Sequence, residues 1–486
     1  MSLNESQPIS SALCLLAFLS TPFGLRDARA EEENKKRQPN VVFILADDLG
    51  WSDLGCYGAD YHESPCIDNL AREGILFRSA YAMPVCSPTR AAILTGKHAA
   101  RLHMTIWSEG SRSGPRNRKL LQANSNHDLA LEEITIAERL QSAGYLTAMI
   151  GKWHLGDAEH YPETQGFDVN IGGTHWGAPQ TFFWPYNGDQ RFGGFRYVPG
   201  LHFGQPGEYL TDRLTDEAVR VIERAGDRPF FLYLAHHAPH TPIEAKEADI
   251  NYFRHKPTAN SIHQNPEYAA MIKSLDESVG RVMECLEKNG VADETIVVFA
   301  SDNGGYIGQD PFEGQPLTIT SNAPLRSGKG SLYEGGIRVP LIIRASGAIK
   351  GAQCTQPVMV TDLYTTILTL CGLENAESLD GINLTPVLFD PETPLEPRAL
   401  FFHYPHYYPT TTPVGAIRMG DYKLLEYFED DRLELYDLAA DLGESNNLAA
   451  THADLADRLR LRLSDWRQKI DAQMPTPNPD FSSKVK

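Results

Sequence analysis

The sequence predicts an α/β protein. A large, mostly parallel central sheet is sandwiched by helices and followed by a smaller C-terminal domain of antiparallel strands and one helix. Two observations predict this fold. Continuous apolar runs rich in β-branched residues, typical of strands buried on both faces, alternate with amphipathic helical patterns. After about residue 385, short strands of alternating polarity replace them, joined by turns such as Gly420-Asp421.

The first part of the chain contains five apolar runs and several helical patterns that alternate with them. The predicted buried strands cover residues 41–45, 146–150, 230–235, 296–300 and 339–343. The predicted helices cover residues 132–143, 211–224, 266–289 and 361–370. Because a helix between two strands returns the chain to the same end of a sheet, this alternation favours parallel pairing.

The C-terminal part is predicted to form its own small sheet. Its strands are expected at residues 399–404, 414–419, 422–426 and 433–436, with a final amphipathic helix over residues 453–470. The sequence therefore divides into a leader of residues 1–30, a main domain of residues 31–385 and a C-terminal α+β subdomain of residues 386–486.

The N-terminus resembles an export signal. Residues 11–19, SALCLLAFL, form a short apolar run, and Ala28-Arg29-Ala30 provides a small-residue cleavage site. The region before the run lacks the usual Lys or Arg, so a disordered leader is the alternative reading. The run is too short for an ordinary transmembrane helix, and no later stretch is long and apolar enough. The sequence therefore predicts a protein without a membrane span, exported to the periplasm, the extracellular space or another compartment outside the cytoplasm.

The seven cysteines include two pairs that an oxidising compartment could join. Cys56 could pair with Cys66, and Cys354 with Cys371. Buried free thiols are an equally good reading of each pair, and no C-x-x-C spacing indicates a zinc ribbon.

The charge balance narrows the range of partners. The 486 residues carry 44 basic and 63 acidic side chains, for a net charge of −19. Nucleic-acid and anionic-membrane binders need a basic face, so the composition argues against both. A local cationic pocket for a small anion remains compatible with an acidic surface, and the surplus of carboxylates suits a metal site.

Polar and charged residues follow four of the predicted strands at the point where each strand ends. Because the carboxyl ends of parallel strands meet at one edge of a sheet, these side chains are expected to converge. They are Asp47, Asp48, Lys152, His154, His236, His237, His240, Asp302 and Asn303. Converging carboxylates repel one another unless a cation neutralises them, and oxygen ligands suit Ca²⁺ or Mg²⁺ rather than zinc.

Cationic and titratable residues at the same edge offer anion binding and proton transfer. Arg90, Lys152 and Lys329 are candidates to clamp an anion. His154 and His240 have the pKa range of a general acid and base.

Residues 83–96, MPVCSPTRAAILTG, place a single cysteine before a predicted helix, with Arg90 four residues further on. The spacing is shorter than that of the Cys-x5-Arg phosphate loop and lacks its glycines. On residue chemistry alone, Cys86 would be read as structural.

Two signatures carry a resemblance to a known family. Cys86-Ser87-Pro88-Thr89-Arg90 with the downstream Leu94-Thr95-Gly96 matches C-x-P-x-R followed by L-T-G. The stretch from Gly144 to Gly156 matches G-Y-x-T-x-x-x-G-K-W-H-L-G. In both, the chain resembles the type I, formylglycine-dependent sulfatases of the alkaline-phosphatase-like superfamily, in particular arylsulfatase A-like and N-acetylgalactosamine-6-sulfatase-like members. The resemblance makes residues 31–385 the catalytic domain.

The resemblance implies an origin and a role for the unusual cysteine. A formylglycine-generating enzyme would oxidise Cys86 to formylglycine, and the hydrated aldehyde would serve as both metal ligand and nucleophile toward the sulfate ester. The other implied ligands of a Ca²⁺ ion, with Mg²⁺ less favoured, are Asp47, Asp48, Asp302 and Asn303.

The remaining roles are also implied by the resemblance. Arg90 would hold the formylglycine and the metal ligands in register. Lys152 and Lys329 would bind sulfate oxygens. His240 or Lys329 would protonate the leaving alcohol, and His154 would accept a proton from the hydrated aldehyde.

The substrate is expected to be a sulfated carbohydrate, with galactose sulfate or N-acetylgalactosamine sulfate units of a polysaccharide favoured. Aromatic and histidine-rich stretches make His175, Trp176, His403 and His406 candidate substrate contacts, because aromatic faces stack on sugar rings. Packing between domains is the alternative reading of each. Two other functions remain open: a phosphoester or phosphonate hydrolase of the same superfamily, and a non-catalytic sulfoglycan-binding protein.

Overall fold

A computed structural model describes residues 38–112, 117–257, 261–312, 317–375 and 378–482. The proposed leader of residues 1–30 lies outside these residues. Within the described ranges, no helix is long and apolar enough to cross a membrane. The structure has free thiols at Cys56, Cys66, Cys354 and Cys371. Neither of the two possible disulfide bonds is therefore formed in it.

The strands and helices are numbered in chain order. The strands are β1 (Asn40–Ala46), β2 (Ile75–Phe77), β3 (Ala80–Tyr81), β4 (Leu120–Leu121), β5 (Leu146–Gly151), β6 (Val169–Ile171), β7 (Phe230–Ala235), β8 (Thr295–Ser301), β9 (Arg338–Val339), β10 (Leu341–Arg344), β11 (Ala352–Cys354), β12 (Val358–Met359), β13 (Ala399–Tyr404), β14 (Val414–Met419), β15 (Tyr422–Tyr427), β16 (Leu433–Asp437) and β17 (Thr476–Pro477). The helices are α1 (Pro65–Glu73), α2 (Cys86–Thr95), α3 (Ser108–Arg112), α4 (Ile136–Ser142), α5 (Leu210–Ala225), α6 (Glu247–Arg254), α7 (Pro266–Lys288), α8 (Glu334–Ile337), α9 (Asp362–Leu370), α10 (Thr385–Phe389) and α11 (Ala453–Lys469). Short 3-10 helices cover Gly55–Tyr57, Ala158–His160, Pro162–Thr164 and Ala292–Glu294.

The central sheet has eight strands in the order β11-β2-β10-β8-β1-β7-β5-β6. Its core is parallel: β1 pairs with β7 and β8, and β5 pairs with β6 and β7, all in parallel. The large, mostly parallel sheet predicted from the apolar runs is therefore confirmed.

One predicted strand differs from this plan. Residues 339–343 form two strands, β9 and β10, separated at Pro340, which has no N–H to donate to a sheet ladder. Moreover, β10 runs antiparallel to both β8 and β2. The expectation of a further parallel strand here is wrong, because an apolar run indicates burial on both faces but not strand direction.

Two hydrophobic cores cover the two faces of the central sheet. Along β1, Val42 and Ile44 face the core shared with α5 and α7, whereas Val41 and Phe43 face the core shared with α2, α4 and α9. All seven residues of β1 are buried. Helices therefore sandwich the sheet, as predicted.

The predicted helix at residues 132–143 begins later than expected, at Ile136. Thr135 Oγ1 accepts a hydrogen bond from Glu138 N at 3.1 Å, and Thr135 N donates to Glu138 Oε2 at 2.7 Å. This capping box satisfies the first free N–H groups of α4 and thereby sets where it begins.

The small C-terminal sheet has the order β13-β14-β15-β16 and is antiparallel throughout. Alternate residues point to opposite faces: Leu425 joins the core beside α2, whereas Leu424 packs beneath α11 with Leu463. The predicted antiparallel sheet with one helix is confirmed. The described residues from Pro39 onward pack as one compact unit.

A buried ionic cluster ties this sheet to the segment that follows Lys329. Lys423 Nζ, on β15, lies 2.9 Å from carboxylate oxygens of both Glu334 and Glu444. The side chains of all three residues are fully buried. Nearby, Tyr333 donates a hydrogen bond to Glu434 on β16 at 2.6 Å.

Candidate active site

Four neighbouring strands deliver the predicted site residues to one edge of the sheet. In the sheet order β8-β1-β7-β5, Asp302 follows β8, Asp47 follows β1, His236 follows β7 and Lys152 follows β5. The structure thus brings together side chains that lie more than 250 residues apart in the chain.

The carboxylates and the amide form a compact, buried cluster. Asp48 N donates to Asp302 Oδ1 at 3.2 Å, and Asn303 Nδ2 donates to Asp48 Oδ1 at 2.8 Å. Asp47, Asp302 and Asn303 have no exposed surface, and Asp48 is 3% exposed. Asp48 lies at φ +65°, a left-handed conformation that aspartate tolerates better than most residues and that turns the chain sharply after β1.

Three cations face these carboxylates. Lys152 Nζ donates to Asp47 Oδ2 at 2.7 Å, and Lys329 Nζ donates to Asp48 Oδ2 at 2.8 Å. The third cation, Arg90, is fully buried, and it also donates to the Lys152 carbonyl oxygen at 2.7 Å. The buried charges therefore balance approximately within the protein itself.

Burial and these charged partners shift the pKa values of Asp47 and Asp48 in opposite directions. Burial raises the pKa of Asp47 well above its usual range despite the nearby Lys152. Burial also acts to raise the pKa of Asp48, but Lys329 and His240 outweigh it and lower the value to about 2.

Two acceptor oxygens of the cluster have no donor among the described residues. They are Asp47 Oδ1 and Asn303 Oδ1, both buried. Buried acceptors are normally satisfied, so these oxygens fit a cation ligated by oxygen. A cation would also keep Asp47 ionised. The residues present therefore fit Ca²⁺ or Mg²⁺.

Cys86 is the first residue of α2 and lies beside this cluster. Its Sγ is 3.3 Å from His154 Nδ1, and Ser87 Oγ donates to the His154 carbonyl oxygen at 2.7 Å. Burial acts to raise the pKa of the Cys86 thiol, but the charges of Lys152 and His154 outweigh it and lower the value to about 6. The side chain at position 86 thus lies within hydrogen-bonding reach of His154 Nδ1.

Glu109, a residue that no motif indicated, faces the other nitrogen of His154. Its Oε2 lies 3.6 Å from His154 Nε2. Burial acts to raise the pKa of Glu109, but the contact with His154 outweighs it and lowers the value to about 2. Glu109 therefore stays ionised and favours the orientation in which Nδ1 of His154 faces Cys86.

A cavity of about 420 Å³ opens onto the site. Predicted site residues that line it are Asp48, Cys86, His154, His240 and Lys329. Its other walls include side chains that sequence reasoning missed: Trp107, Glu109, Phe192, Arg196, Tyr306 and Tyr408. His240 Nε2 lies 3.6 Å from Asp48 Oδ2, within the cavity wall. Lys152, in contrast, is fully buried behind the carboxylates.

A second cavity of about 400 Å³ adjoins the first and contains the predicted substrate residues His175 and Trp176. The two cavities share four lining residues: Glu109, His154, Phe192 and Arg196. His175 and Trp176 thus lie on a surface continuous with the site.

The other two predicted substrate contacts, His403 and His406, require a correction. His403 Nε2 lies 2.9 Å from the Gln473 carbonyl oxygen, and His406 Nε2 lies 2.7 Å from Thr105 Oγ1. Both rings are buried, and burial lowers the pKa of each to about 3. Neither belongs to the described lining of the two cavities. Both rings lie in the protein interior in this structure, where they offer no surface to a substrate.

The fold and the site define a hydrolase of the alkaline-phosphatase-like class, with a buried cluster of carboxylates beside Cys86 at the start of α2. The chain belongs to the sulfatase family: the family model described as Sulfatase matches residues 39–373. A second model, described as N-sulphoglucosamine sulphohydrolase, C-terminal, matches residues 328–469. The protein is therefore a sulfuric ester hydrolase.

Relatives and solved structures agree with this assignment. A sulfatase from Formosa agariphila is 33% identical and covers 95% of this chain and 94% of its own. Human N-acetylgalactosamine-6-sulfatase is 33% identical over 75% of this chain and 68% of its own. The crystal structure of Ps i-CgsB in complex with k-i-k-neocarrahexaose superposes with a TM-score of 0.74 at 30% identity, covering 92% of this chain and 95% of that one.

Proposed function

We propose that this sulfatase removes sulfate from galactose or N-acetylgalactosamine sulfate units of a sulfated polysaccharide or glycosaminoglycan-type substrate. The observation that carries the proposal is the Cys86–His154 pair at the floor of a cavity that also exposes Lys329. The names of the relatives support the sugar class, since one acts on N-acetylgalactosamine 6-sulfate and another was solved with a carrageenan hexasaccharide.

We further propose that Cys86 is converted to formylglycine by a separate generating enzyme. The C-S-P-T-R motif at the start of α2 supports this conversion. Formylglycine supplies a hydrated aldehyde, whose hydroxyl is a nucleophile that a thiol does not provide. His154 Nδ1, 3.3 Å from the Cys86 side chain, is placed to accept a proton at this position.

The proposed metal ion is Ca²⁺, held by Asp47, Asp48, Asp302 and Asn303, with Mg²⁺ less favoured. A cation here supplies positive charge toward sulfate oxygens and toward the side chain at position 86. Mg²⁺ demands near-ideal octahedral geometry, whereas Ca²⁺ accepts irregular sets of carboxylate and amide oxygens.

The protein's own groups divide the remaining work. Lys329 reaches the cavity and binds sulfate oxygens, while Lys152 adds positive charge from behind Asp47. His240, on the cavity wall, is placed to protonate the leaving alcohol, and Lys329 is the other candidate donor. Arg90 holds Asp302 and the Lys152 backbone in register.

Export is part of the proposal. The apolar run at residues 11–19 and the Ala28-Arg29-Ala30 sequence support a cleaved leader. N-terminal sequencing of protein recovered from the exported fraction is expected to begin just after Ala30. Recovery of the full chain from the cytoplasm alone would contradict export.

The decisive experiment for the function is a screen of defined sulfated oligosaccharides with protein co-expressed with a formylglycine-generating enzyme. Mass spectrometry follows both sulfate release and conversion at Cys86. We expect turnover with galactose or N-acetylgalactosamine sulfates, and a higher kcat/KM on sulfate than on matched phosphate monoesters. Higher kcat/KM on phosphate would favour the phosphohydrolase alternative.

Two variants complete the experiment. Cys86→Ala is expected to abolish turnover while keeping the wild-type circular dichroism spectrum. Cys285→Ala is the matched control, because this thiol lies on α7 outside both cavities and its loss leaves turnover intact. Retained turnover in Cys86→Ala would refute the nucleophile assignment.

A further inference from the structure

Arg196 lies where the two cavities meet, on the long segment between β6 and α5. It lines both cavities, and its side chain is 11% exposed. Two backbone hydrogen bonds with Gly188 fix its position. Arg196 N donates to the Gly188 carbonyl oxygen at 2.8 Å, and Gly188 N donates to the Arg196 carbonyl oxygen at 3.0 Å. A cation is therefore held at one defined place next to the catalytic cavity.

The guanidinium of Arg196 is weakly paired. Its Nη2 lies 3.5 Å from Glu109 Oε1, and its Nη1 lies 3.4 Å from the Ala178 carbonyl oxygen. The group also lies over the Phe192 ring, 4.4 Å from its centroid. Among the described residues it makes no side-chain hydrogen bond shorter than these, although a guanidinium has five donors. By contrast, Arg191 on the same segment donates to Glu244 Oε1 at 2.7 Å.

The surroundings of Arg196 suit a sugar. Its neighbours Phe195 and Tyr197 are 59% and 45% exposed. The Trp176 ring lies 4.9 Å from the Tyr197 ring and 4.7 Å from the His175 ring, measured between centroids. These four rings form an aromatic surface beside one underpaired cation, a combination that matches a sugar ring with an acidic substituent.

The acidic groups nearby are already engaged. In the second cavity, Asp128 Oδ1 accepts a hydrogen bond from Asp157 N at 2.9 Å, and Asp157 Oδ1 lies 3.2 Å from His160 Nδ1. Glu109 is the carboxylate that competes for Arg196, and it also faces His154. An incoming anion could therefore replace Glu109 as the partner of the Arg196 guanidinium, while Glu109 keeps its contact with His154.

From this arrangement we propose that Arg196 binds a second acidic group, carried by the sugar unit next to the one that loses its sulfate. The substrate class would then be oligosaccharides of at least two units with an acidic substituent on the neighbouring unit, the ring of which contacts Trp176 and His175. The bound group is a sulfate ester or a carboxylate. A guanidinium can bind either of them through two parallel hydrogen bonds. This inference rests on the proposed function.

Kinetics provide the first test. Arg196→Gln is compared with the wild type on three substrates: an oligosaccharide with a second sulfate on the neighbouring unit, one with a carboxylate there, and one with neither. We expect kcat/KM to fall about 10- to 100-fold on whichever acidic substrate is recognised, mainly through KM, as for loss of a charged hydrogen bond. On the neutral neighbour, the fall in kcat/KM is expected to be smaller, because that substrate offers no second acidic group to Arg196. Equal losses on all three substrates, or no loss on both acidic ones, would overturn the proposal.

Binding provides a test that does not need turnover. Calorimetry with the three oligosaccharides in a Cys86→Ala background measures affinity directly. Arg196→Gln is expected to weaken binding of the acidic oligosaccharide, and Glu109→Gln to strengthen it by removing the competing carboxylate. Arg220→Gln, an exposed arginine on α5, controls for the loss of charge alone. Equal affinity with and without Arg196 would overturn the proposal. If wild-type enzyme releases no sulfate from any ester, the proposed function fails, while this comparison still decides the role of Arg196.

Discussion

Arg90 holds Asp302 with two hydrogen bonds, from Nε at 3.1 Å and from Nη2 at 2.8 Å, and neither side chain has any exposed surface. The arginine comes from α2, four residues after Cys86, and the aspartate follows β8. One buried ion pair thus fixes the helix that carries the reactive position against the acidic cluster at the sheet edge.

Breaking this pair is expected to destabilise the fold. Arg90→Met keeps the stem of the side chain but, in metal-free protein, leaves Asp302 as an unpaired buried charge, which costs about 3–5 kcal/mol. Urea unfolding followed by circular dichroism measures the loss. Lys288→Met removes one side of the exposed pair with Glu284 and is expected to change little. Similar small effects of both substitutions would contradict the structural role of Arg90.

A methyl group at position 177 is expected to displace His154, the proposed proton acceptor. A Cβ built on Gly177 would lie 2.2 Å from His154 Cε1, so the ring or the backbone at position 177 must shift, which changes the position of His154 relative to Cys86. Gly177→Ala should lower kcat by about tenfold or more, because displacements near 1 Å are costly in a preorganised site. Gly194→Ala, where nothing lies within 4 Å, is the matched control for steady-state kinetics. Unchanged kcat in Gly177→Ala would show that the ring has room to adapt.

Removing divalent metal is expected to lower both activity and thermal stability. The cluster contains three buried aspartates, and Asp47 Oδ1 and Asn303 Oδ1 have no described protein donor. Chelation followed by titration with Ca²⁺ should raise the midpoint of thermal unfolding, since an ion that binds only the folded state stabilises it. Asn303→Ala removes one acceptor oxygen and should require a higher Ca²⁺ concentration for the same rise. A midpoint of thermal unfolding that neither Ca²⁺ nor Mg²⁺ changes would argue against a metal site here.

A second buried acidic centre, around Asp53, lies beside the segment that follows β1. Asp53 accepts hydrogen bonds from Thr320 Oγ1 at 2.6 Å and from Tyr268 Oη at 2.8 Å, and its Oδ1 lies 3.2 Å from His263 Nε2. Burial acts to raise the pKa of Asp53, but His263 and His62 outweigh it and lower the value to about 2.

This depressed pKa predicts a pH dependence of stability. Because the folded pKa lies below the ordinary 3.8, the stabilisation, about 2 kcal/mol, is complete above pH ~4 and is lost as pH falls toward 2. The raised pKa of His263 acts in the other direction, adding stability below pH ~6.5 that is lost at higher pH. The gap in unfolding free energy between wild type and Asp53→Asn should therefore be large at pH 5 and smaller at pH 3. Asp465→Asn, an exposed aspartate on α11, serves as the control. A gap that grows on acidification would contradict the assignment.

The sequence predicted those parts of the site that depend on local patterns. Asp47, Lys152 and Asp302 directly follow strands whose apolar runs are unmistakable, and parallel topology then brings them together. The direction of a strand was harder to predict than its position. β10 has the same apolar pattern as its neighbours, but its orientation depends on the path of the loop that contains Lys329.

The walls of the cavity were beyond sequence reasoning. Glu109 lies on the short helix α3 and Arg196 on an irregular segment, and only tertiary folding brings Glu109 to His154 and Arg196 to Glu109. His403 and His406 show the opposite error, since an aromatic, histidine-rich stretch fits equally well in a protein interior. Composition alone does not distinguish a ring that stacks on sugar from one that fills a core.

The ionic cluster around Lys423 connects the C-terminal strands to the segment that carries Lys329. Glu334 lies five residues after Lys329, and the nearer of its two cationic partners, Lys423, comes from β15, nearly 90 residues later; the other is Arg338 at 3.3 Å. A chain ending near residue 385 would keep Arg338 but lose Lys423 and uncover the segment that β15 covers. Proteolytic trimming at this boundary is therefore expected to loosen the segment that carries Lys329 at the cavity.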